Sequence, residues 1–427
     1  MRARNLHYRS PRLFGVLGLQ ALVVASSAFA DTCRVTPVGT PAGDGSDWSM
    51  QSMDLPTALS ASACTEVWVA AGLYKPTSGS DRTISFRPMP GVEVDGGFAG
   101  GETSREQRDP AANPTLLSGD IDGNDTGVDG IDADTSQIVG SNSYHVVYFD
   151  GASPAGQILA DTVLDGFIIT GGSADGIDPY RRGGGAYCNG VYGTHECSPT
   201  LRNLSFSGNR AIYGGGLCVD GSYGLSSPVL ANVTFSGNRA AGGGALISIG
   251  YQGQSSPTLG NVTFSDNSAD NGGAVYNAGY EGTATMALNN VTFNGNSAGN
   301  GASAFYNEGG TATLNNVIVW DESAPSAGSG TSDTYGGVLS ISDSVLHACL
   351  NVDICNNIIT NDPLLGSLQY NGGYTMTLVP SGSALDAGND GTCLATDQRG
   401  VSRPQGSHCD VGAVEVVVDQ IFVDGFE

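Results

Sequence analysis

Three arginines and two tyrosines recur close to Gly-Gly pairs in the middle of the chain. Guanidinium groups donate hydrogen bonds to hydroxyls and carboxylates, and tyrosine rings stack on the apolar faces of sugars. The pattern predicts a stripe that contacts an extended glycan, and arginines that only keep corners soluble are the alternative. The five residues are Arg182, Tyr187, Arg210, Tyr213 and Arg239.

A second candidate site is the acidic segment 120–134, which has six aspartates in fifteen residues. No Lys or Arg occurs over residues 109–180, so sequence neighbours leave these charges uncompensated. The spacing matches the first three ligand positions of a calcium-binding loop but lacks its central glycine and its closing glutamate. The segment is either an irregular Ca²⁺ site or a solvated acidic loop. The predicted ligands are Asp120, Asp122, Asn124 and Asp125.

Polysaccharide cleavage is the enzymatic alternative. A uronate lyase needs cations against the substrate carboxylate and a base near the α-carbon, and a glycoside hydrolase needs two carboxylates roughly 5–9.5 Å apart. Asp266 and Asp270 are candidates for the carboxylates by composition alone. Because the chain has no His-Glu-x-x-His zinc motif and no phosphate loop, we weigh an enzyme or a lectin below a structural role.

Nine cysteines all follow residue 30, and none has the spacing of a zinc site. In an exported protein, near neighbours in sequence favour disulfides that close short loops. Sequence alone does not fix the connectivity. Cys218 is left over, as a small buried side chain in a strand or as a reactive thiol. The predicted pairs are Cys33 with Cys64, Cys188 with Cys197, Cys349 with Cys355 and Cys393 with Cys409.

Composition limits the elements that position these residues. Of 427 residues, 64 are Gly and only 14% are charged, which excludes a long helical bundle. Hydrophobic residues make up 40%, enough for a sizeable core. The formal charge is −25 and Lys75 is the single lysine, so the chain lacks the clustered cations that bind nucleic acid.

A 29-residue repeat defines the fold. Four copies of an Asn-aliphatic-Ser/Thr-Phe unit begin at Asn203, Asn232, Asn261 and Asn290. Their apolar positions alternate, and like residues on successive coils form a continuous core. The repeat predicts an all-β, right-handed parallel β-helix of roughly nine to eleven coils. We also expect two asparagine columns, the one above and a second at 209, 238, 267 and 296, to form structural ladders.

The ends of the chain differ from the repeats. A basic start, an apolar run and an Ala-Phe-Ala site predict a secretory signal peptide, and hence an extracellular or cell-surface location. No later apolar run is long enough for a membrane span, and the oligomeric state is open. The predicted parts are 1–30 signal peptide, 31–160 irregular early coils with a short capping helix, 161–346 regular repeats, 347–415 small C-terminal domain and 416–427 tail.

Two family resemblances extend this interpretation. The Phe-Ser-x-Asn and Gly-Gly-Ala units of roughly residues 160–320 resemble repeats of polymorphic outer-membrane-protein type. The segments 362–373, 383–388, 396–400 and 410–413 resemble the choice-of-anchor Q domain of bacterial surface proteins. The resemblances imply a secreted or cell-surface structural or adhesion protein of a Gram-negative bacterium. Its partners would be extracellular glycans or cell-surface components.

Overall fold

The structure is a computed structural model of the chain. The predicted signal peptide and most of the predicted tail lie outside the described residues. The structure describes residues 31–152, 155–321, 327–329, 337–349 and 351–417.

Parallel strands stacked coil upon coil form a main sheet of nineteen strands. The strand Val229–Ser236 pairs with Thr258–Ser265 so that each residue lies beside its counterpart 29 positions later, as the repeat predicts. The strands of the main sheet are Asp31–Val35, Cys64–Ala70, Gly72–Tyr74, Glu93–Phe98, Thr115–Ser118, Val163–Asp165, Ile168–Thr170, Glu196–Cys197, Thr200–Arg202, Ser205–Ser207, Leu225–Ser226, Val229–Ser236, Gln254–Ser255, Thr258–Ser265, Thr283–Asn294, Thr311–Asn315, Ile318–Trp320, Val338–Leu346 and Ile354–Ile359.

A second sheet of seven strands forms another face, and two short strand pairs form a third. The second sheet contains Val147–Asp150, Ala186–Asn189, Leu217–Asp220, Leu246–Ile249, Val275–Ala278, Phe305–Glu308 and Ala327–Ser329. The short pairs are Ser173–Ala174 with Arg210–Ala211 and Ser268–Ala269 with Ser297–Ala298. The helical elements are an α-helix, Leu55–Ser60, and a 3₁₀ turn, Arg105–Gln107.

The fold is a right-handed parallel β-helix, as predicted. Over the described residues the main sheet has eleven successive levels, from Asp31–Val35 to Ile354–Ile359. Glycine is required where successive coils meet closely, because a Cβ on Gly215 would lie 2.3 Å from the carbonyl oxygen of Gly244. The repeated Gly-Gly units therefore set the corners before the second sheet.

The core is a column of like side chains. Phe206, Phe235, Phe264 and Phe293 are fully buried, and successive ring centroids are 4.7–5.0 Å apart with interplanar angles of 7–8°. Stacking of like residues lets each coil bury its apolar face against the next, as the alternating pattern predicts.

Both asparagine columns form ladders. The first occupies turns with positive φ, from 53° to 58° at its four repeat positions. The second is buried, and each amide nitrogen donates to the amide oxygen of the next coil at 2.9–3.0 Å. It ends at Asp321, whose Oδ1 accepts from the Asn296 amide at 3.2 Å. The prediction of structural ladders is confirmed.

The α-helix and the C-terminal segment pack against different parts of the solenoid. The helix Leu55–Ser60 buries Leu55, Ala58 and Leu59 against the first strands, as the predicted capping helix. Residues 360–417 contain no described helix or strand and pack along the main sheet, where the Gln398 amide donates to Thr234 Oγ1 at 2.8 Å. Within the described ranges, no helix is long and apolar enough to cross a membrane.

Candidate functional site

A groove of about 690 Å³ runs over the outer face of the second sheet. We call it the tyrosine groove, because eight tyrosines line it together with Ile247, Ile249, His195 and two arginines. Aromatic rings offer large apolar faces and hydroxyls that hydrogen-bond at their edges. The tyrosines are Tyr148, Tyr187, Tyr192, Tyr213, Tyr223, Tyr251, Tyr276 and Tyr280.

The floor of the groove follows from strand alternation. Within Ala186–Asn189, Ala186 and Cys188 face the core, whereas Tyr187 points to the outer face. The parallel register then stacks outward residues of successive strands into one column, in the order Tyr148, Tyr187, Cys218, Ile247, Tyr276 and Tyr306. Smaller side chains occupy the middle of the column, and tyrosines occupy both ends.

One wall of the groove comes from the turns after these strands. Tyr192 and Tyr223 stack with ring centroids 5.5 Å apart and an interplanar angle of 14°. Tyr251 meets Tyr223 edge to face at 5.2 Å. Tyr192 is 64% exposed and Tyr223 is 41% exposed, so this row of rings is open to solvent.

The cations of the groove already have carboxylate partners. Arg182 donates to Asp178 at 3.0 Å and also pairs with the fully buried Asp220. Burial opposes the charged form of Arg182, but the Asp220 carboxylate raises its pKa. Arg181 pairs with Asp178 at 2.8 Å and lies over the ring of Tyr213 at 5.3 Å. A ligand carboxylate would therefore have to displace an existing ion pair.

A carboxylate lies beside two of the groove tyrosines. Glu308 accepts hydrogen bonds from the hydroxyls of Tyr276 and Tyr280, which are 2.6 Å from each other. Burial, together with the hydrogen bonds to Glu308, raises the pKa of both tyrosines. Both phenols therefore remain protonated donors at neutral pH.

The structure does not bring the predicted arginines together. Arg182, Tyr187 and Tyr213 lie in the tyrosine groove, but Arg210 and Arg239 lie in register on the third face, beside Asp175 and Asp270. The physical reason is an offset along the chain. Arg182 directly precedes its corner glycine, whereas Arg210 and Arg239 each come four residues before theirs. Arg182 consequently lies in register with Tyr213.

The sequence analysis missed most of the groove. Tyr148, Ile247 and Tyr276 share one strand position after each corner, and only that position could have indicated them. Tyr280 lies in the turn after its strand and has no such signal. Arg182 was predicted from its charge, whereas the structure pairs it with acids of its own chain.

The four predicted calcium ligands do not form one group. Asp120 Oδ1 accepts from the backbone N–H groups of Gly123 and Asn124, at 2.7 and 3.1 Å. Asp122 Oδ2 accepts from the backbone of Ser141, whereas Asp125 Oδ2 accepts from Asn142. In the part of the chain that is described, no group of three or more His, Cys, Asp or Glu side chains is arranged to hold a metal ion.

The cysteines pair as predicted. The four disulfides are Cys33–Cys64, Cys188–Cys197, Cys349–Cys355 and Cys393–Cys409. Cys218 is free and buried in the floor of the tyrosine groove. Because burial raises the pKa of its thiol, it is a small protonated side chain and not a thiolate nucleophile.

Comparison with known proteins identifies the repeat. Residues 232–249 and 261–278 match the Chlamydia polymorphic membrane protein repeat. The chain is thus a parallel β-helix repeat protein with repeats of the type that the sequence resembles. No curated protein sequence matches the chain. Among solved structures, it is similar to pectate lyase Pel9A, with 14% identity and a TM-score of 0.45 over 91% of this chain and 98% of that chain. A similarity this low bears on neither activity nor substrate.

Proposed function

We propose that the protein is a secreted or cell-surface adhesion-type β-helix protein whose tyrosine groove binds a neutral saccharide chain. The observation that carries the proposal is the grouping of eight tyrosines from successive coils along one groove. A rigid solenoid holds these rings at fixed spacings, so an extended ligand loses its own freedom while the protein loses little.

The charges in the groove favour a neutral ligand. Arg181 and Arg182 are paired with Asp178 and Asp220, and Glu308 accepts from two tyrosines. An acidic sugar would meet no unpaired cation among these side chains and would approach Glu308. Hydroxyls, in contrast, can exchange hydrogen bonds with phenols and amides at no cost in buried charge.

The proposed location rests on sequence features. The polymorphic membrane protein repeat supports a surface-type protein. The signal-like residues 1–30 and the resemblance of residues 362–413 to the choice-of-anchor Q domain support export and retention at a bacterial surface.

Binding of polysaccharides to the purified protein tests the proposal. We expect micromolar to millimolar affinity for a neutral polysaccharide and little for a uronate polymer of equal length. Tyr192→Ala with Tyr223→Ala should weaken binding at least tenfold, because both rings are exposed in the groove. Tyr370→Ala, which removes an exposed ring outside the groove, should leave binding unchanged. Equal binding by both tyrosine variants would refute the groove as the site.

A lyase or hydrolase is the alternative function. Its arginines would have to be available to substrate, and Arg182 is held by two aspartates. Arg210 and Arg239 remain candidates on the third face. Unsaturated products or new reducing ends that vanish in the Arg210→Ala, Arg239→Ala variant would establish an enzyme on that face.

A further inference from the structure

Two carboxylates approach one point beside the corner at Gly171. A Cβ built on Gly171 would lie 3.1 Å from Asp125 Oδ2, 3.1 Å from Asp132 Oδ2 and 3.4 Å from Asn142 Nδ2. The side chains of Asp132 and Asn142 are buried, with 2% and 1% of their surface exposed. The absence of a side chain on Gly171 leaves a small space that is bounded by two carboxylate oxygens and one amide nitrogen.

Asp132 and Asn142 face this space through Oδ2 and Nδ2, and each of these side chains has a second polar atom that is unpaired. Asn142 Nδ2 donates to Asp125 Oδ2 and to the carbonyl oxygen of Gly171, both at 2.7 Å. Asn142 Oδ1 and Asp132 Oδ1 are buried, and neither has a hydrogen-bond partner. A buried carboxylate oxygen without a donor costs free energy, so unpaired groups of this kind point to a missing positive partner.

No basic side chain supplies that partner. In the described ranges, Lys75 forms a salt bridge with Asp120 of the same loop at 3.8 Å. Neither Asp125 nor Asp132 forms a salt bridge there. Among the described side chains, the two carboxylates that face Gly171 therefore have no positively charged partner.

We propose that the side chains of Asp125, Asp132 and Asn142 and the Gly171 carbonyl bind a calcium ion. Ca²⁺ accepts carboxylate, amide and main-chain oxygens in irregular geometry, and water completes its shell. Rotation of the Asn142 amide by a half turn would direct its unpaired oxygen to the ion in place of Nδ2. Only two acids take part, so this site differs from the four ligands that the sequence predicts and keeps only Asp125.

The ion would fasten the acidic loop to the β-helix. The Asp132 N–H donates to Thr170 Oγ1 at 2.9 Å, and Ser207 Oγ donates to the Asp132 carbonyl at 2.7 Å. Asp132 thus already lies against two coils, and Gly171 belongs to the first of them. A bound cation would join the loop and the corner through charge as well as through these hydrogen bonds.

Calorimetry and thermal unfolding with calcium test this site independently of any saccharide. We expect one Ca²⁺ per chain by titration calorimetry, and a Tm about 2–5 °C higher in millimolar Ca²⁺ than in chelator. Asp132→Asn should abolish both effects while raising the Tm in chelator, because it removes a buried acid. Asp129→Asn, an exposed acid of the same loop, should retain both effects.

Two results would overturn the proposal. One is a wild-type protein with neither heat of binding nor Tm shift up to about 10 mM Ca²⁺. The other is a calcium response that persists in Asp132→Asn, which would place the ion elsewhere. If Asp132→Asn does not fold, the same comparison is made with Asp125→Asn. That variant leaves the contacts of Asp132 with Thr170 and Ser207 unchanged.

Discussion

At the scale of single residues, burial shifts the pKa of an acid in the buried asparagine ladder. Asp321 occupies the position that asparagines hold in the other coils of the buried ladder, and it is 1% exposed. Two donors of Asn296 and the hydroxyl of Ser303 satisfy its carboxyl group. Burial nevertheless outweighs these hydrogen bonds and raises the pKa of Asp321 to about 7.

This acid should make stability depend on pH. Between about pH 4 and pH 7 the folded Asp321 holds a proton that the unfolded chain has released, so its contribution to stability falls as pH rises and then levels off. Asp321→Asn should remove this loss and be more stable at pH 8 by on the order of 2–4 kcal/mol. Urea unfolding at pH 5 and pH 8 measures the difference, with exposed Asp161→Asn as the control. A pH-independent difference between wild type and Asp321→Asn would contradict the prediction.

At the scale of elements, the two asparagine ladders have different roles. The buried ladder satisfies main-chain groups inside the corner, since Asn238 donates to the carbonyl of Phe206 and accepts from the N–H of Asn209. The first ladder, at Asn203, Asn232, Asn261 and Asn290, serves backbone conformation, because Asn232 has a φ of 58°. The hydrogen bond from the Asn232 side-chain amide to Asn203 Oδ1 is 3.2 Å long, which is longer than the corresponding bonds of the buried ladder.

Substitutions should separate these roles. Asn238→Ala leaves several buried groups unpaired and should lower the free energy of unfolding by about 2–5 kcal/mol. Asn232→Gly keeps the left-handed conformation and should cost less than about 1 kcal/mol. Denaturant unfolding of both variants checks the order, and equal losses would show that the buried amides contribute no more than the turn.

At the scale of the whole molecule, the C-terminal segment holds the main sheet from outside. Gln398 is 3% exposed, accepts from Thr263 Oγ1 at 2.7 Å and donates to Thr234 and Thr375. Asn290 Oδ1 accepts from the N–H of Leu394, which adds a contact with the next coil. The segment thus bridges several coils without adding a strand.

Loss of this contact should loosen the segment before the solenoid. Gln398→Ala leaves buried hydroxyls unpaired and should cost about 1–3 kcal/mol. Limited proteolysis should then cut residues 361–417 faster, while the repeats stay protected. Gln405→Ala, which changes an exposed glutamine of the same segment, is the control. Unchanged cleavage in Gln398→Ala would mean that other contacts hold the segment.

The repeats were predictable because identical residues of successive coils stack on one another. Phe206 through Phe293 and both asparagine ladders follow from the 29-residue period alone. The groove was not predictable, since the face that Arg182 or Arg210 occupies depends on its distance from a corner. Asp132 meets Asp125 only because the irregular loop folds back on Gly171. The docking of residues 361–417 has no periodic pattern to reveal it.

The coil-to-coil register relates the number of repeats to the length of the solenoid. Because Thr258–Ser265 pairs with its neighbours one period before and one period after, an extra copy of the 29-residue unit would form the same strand pairs, but the contacts of Gln398 with Thr234 and Thr263 would have to be rebuilt. Each added copy would lengthen the rod by about 4.8 Å, the spacing of paired strands. The strand register therefore sets the length of the rod in whole 29-residue steps, whereas the C-terminal segment fixes which coils it can bridge.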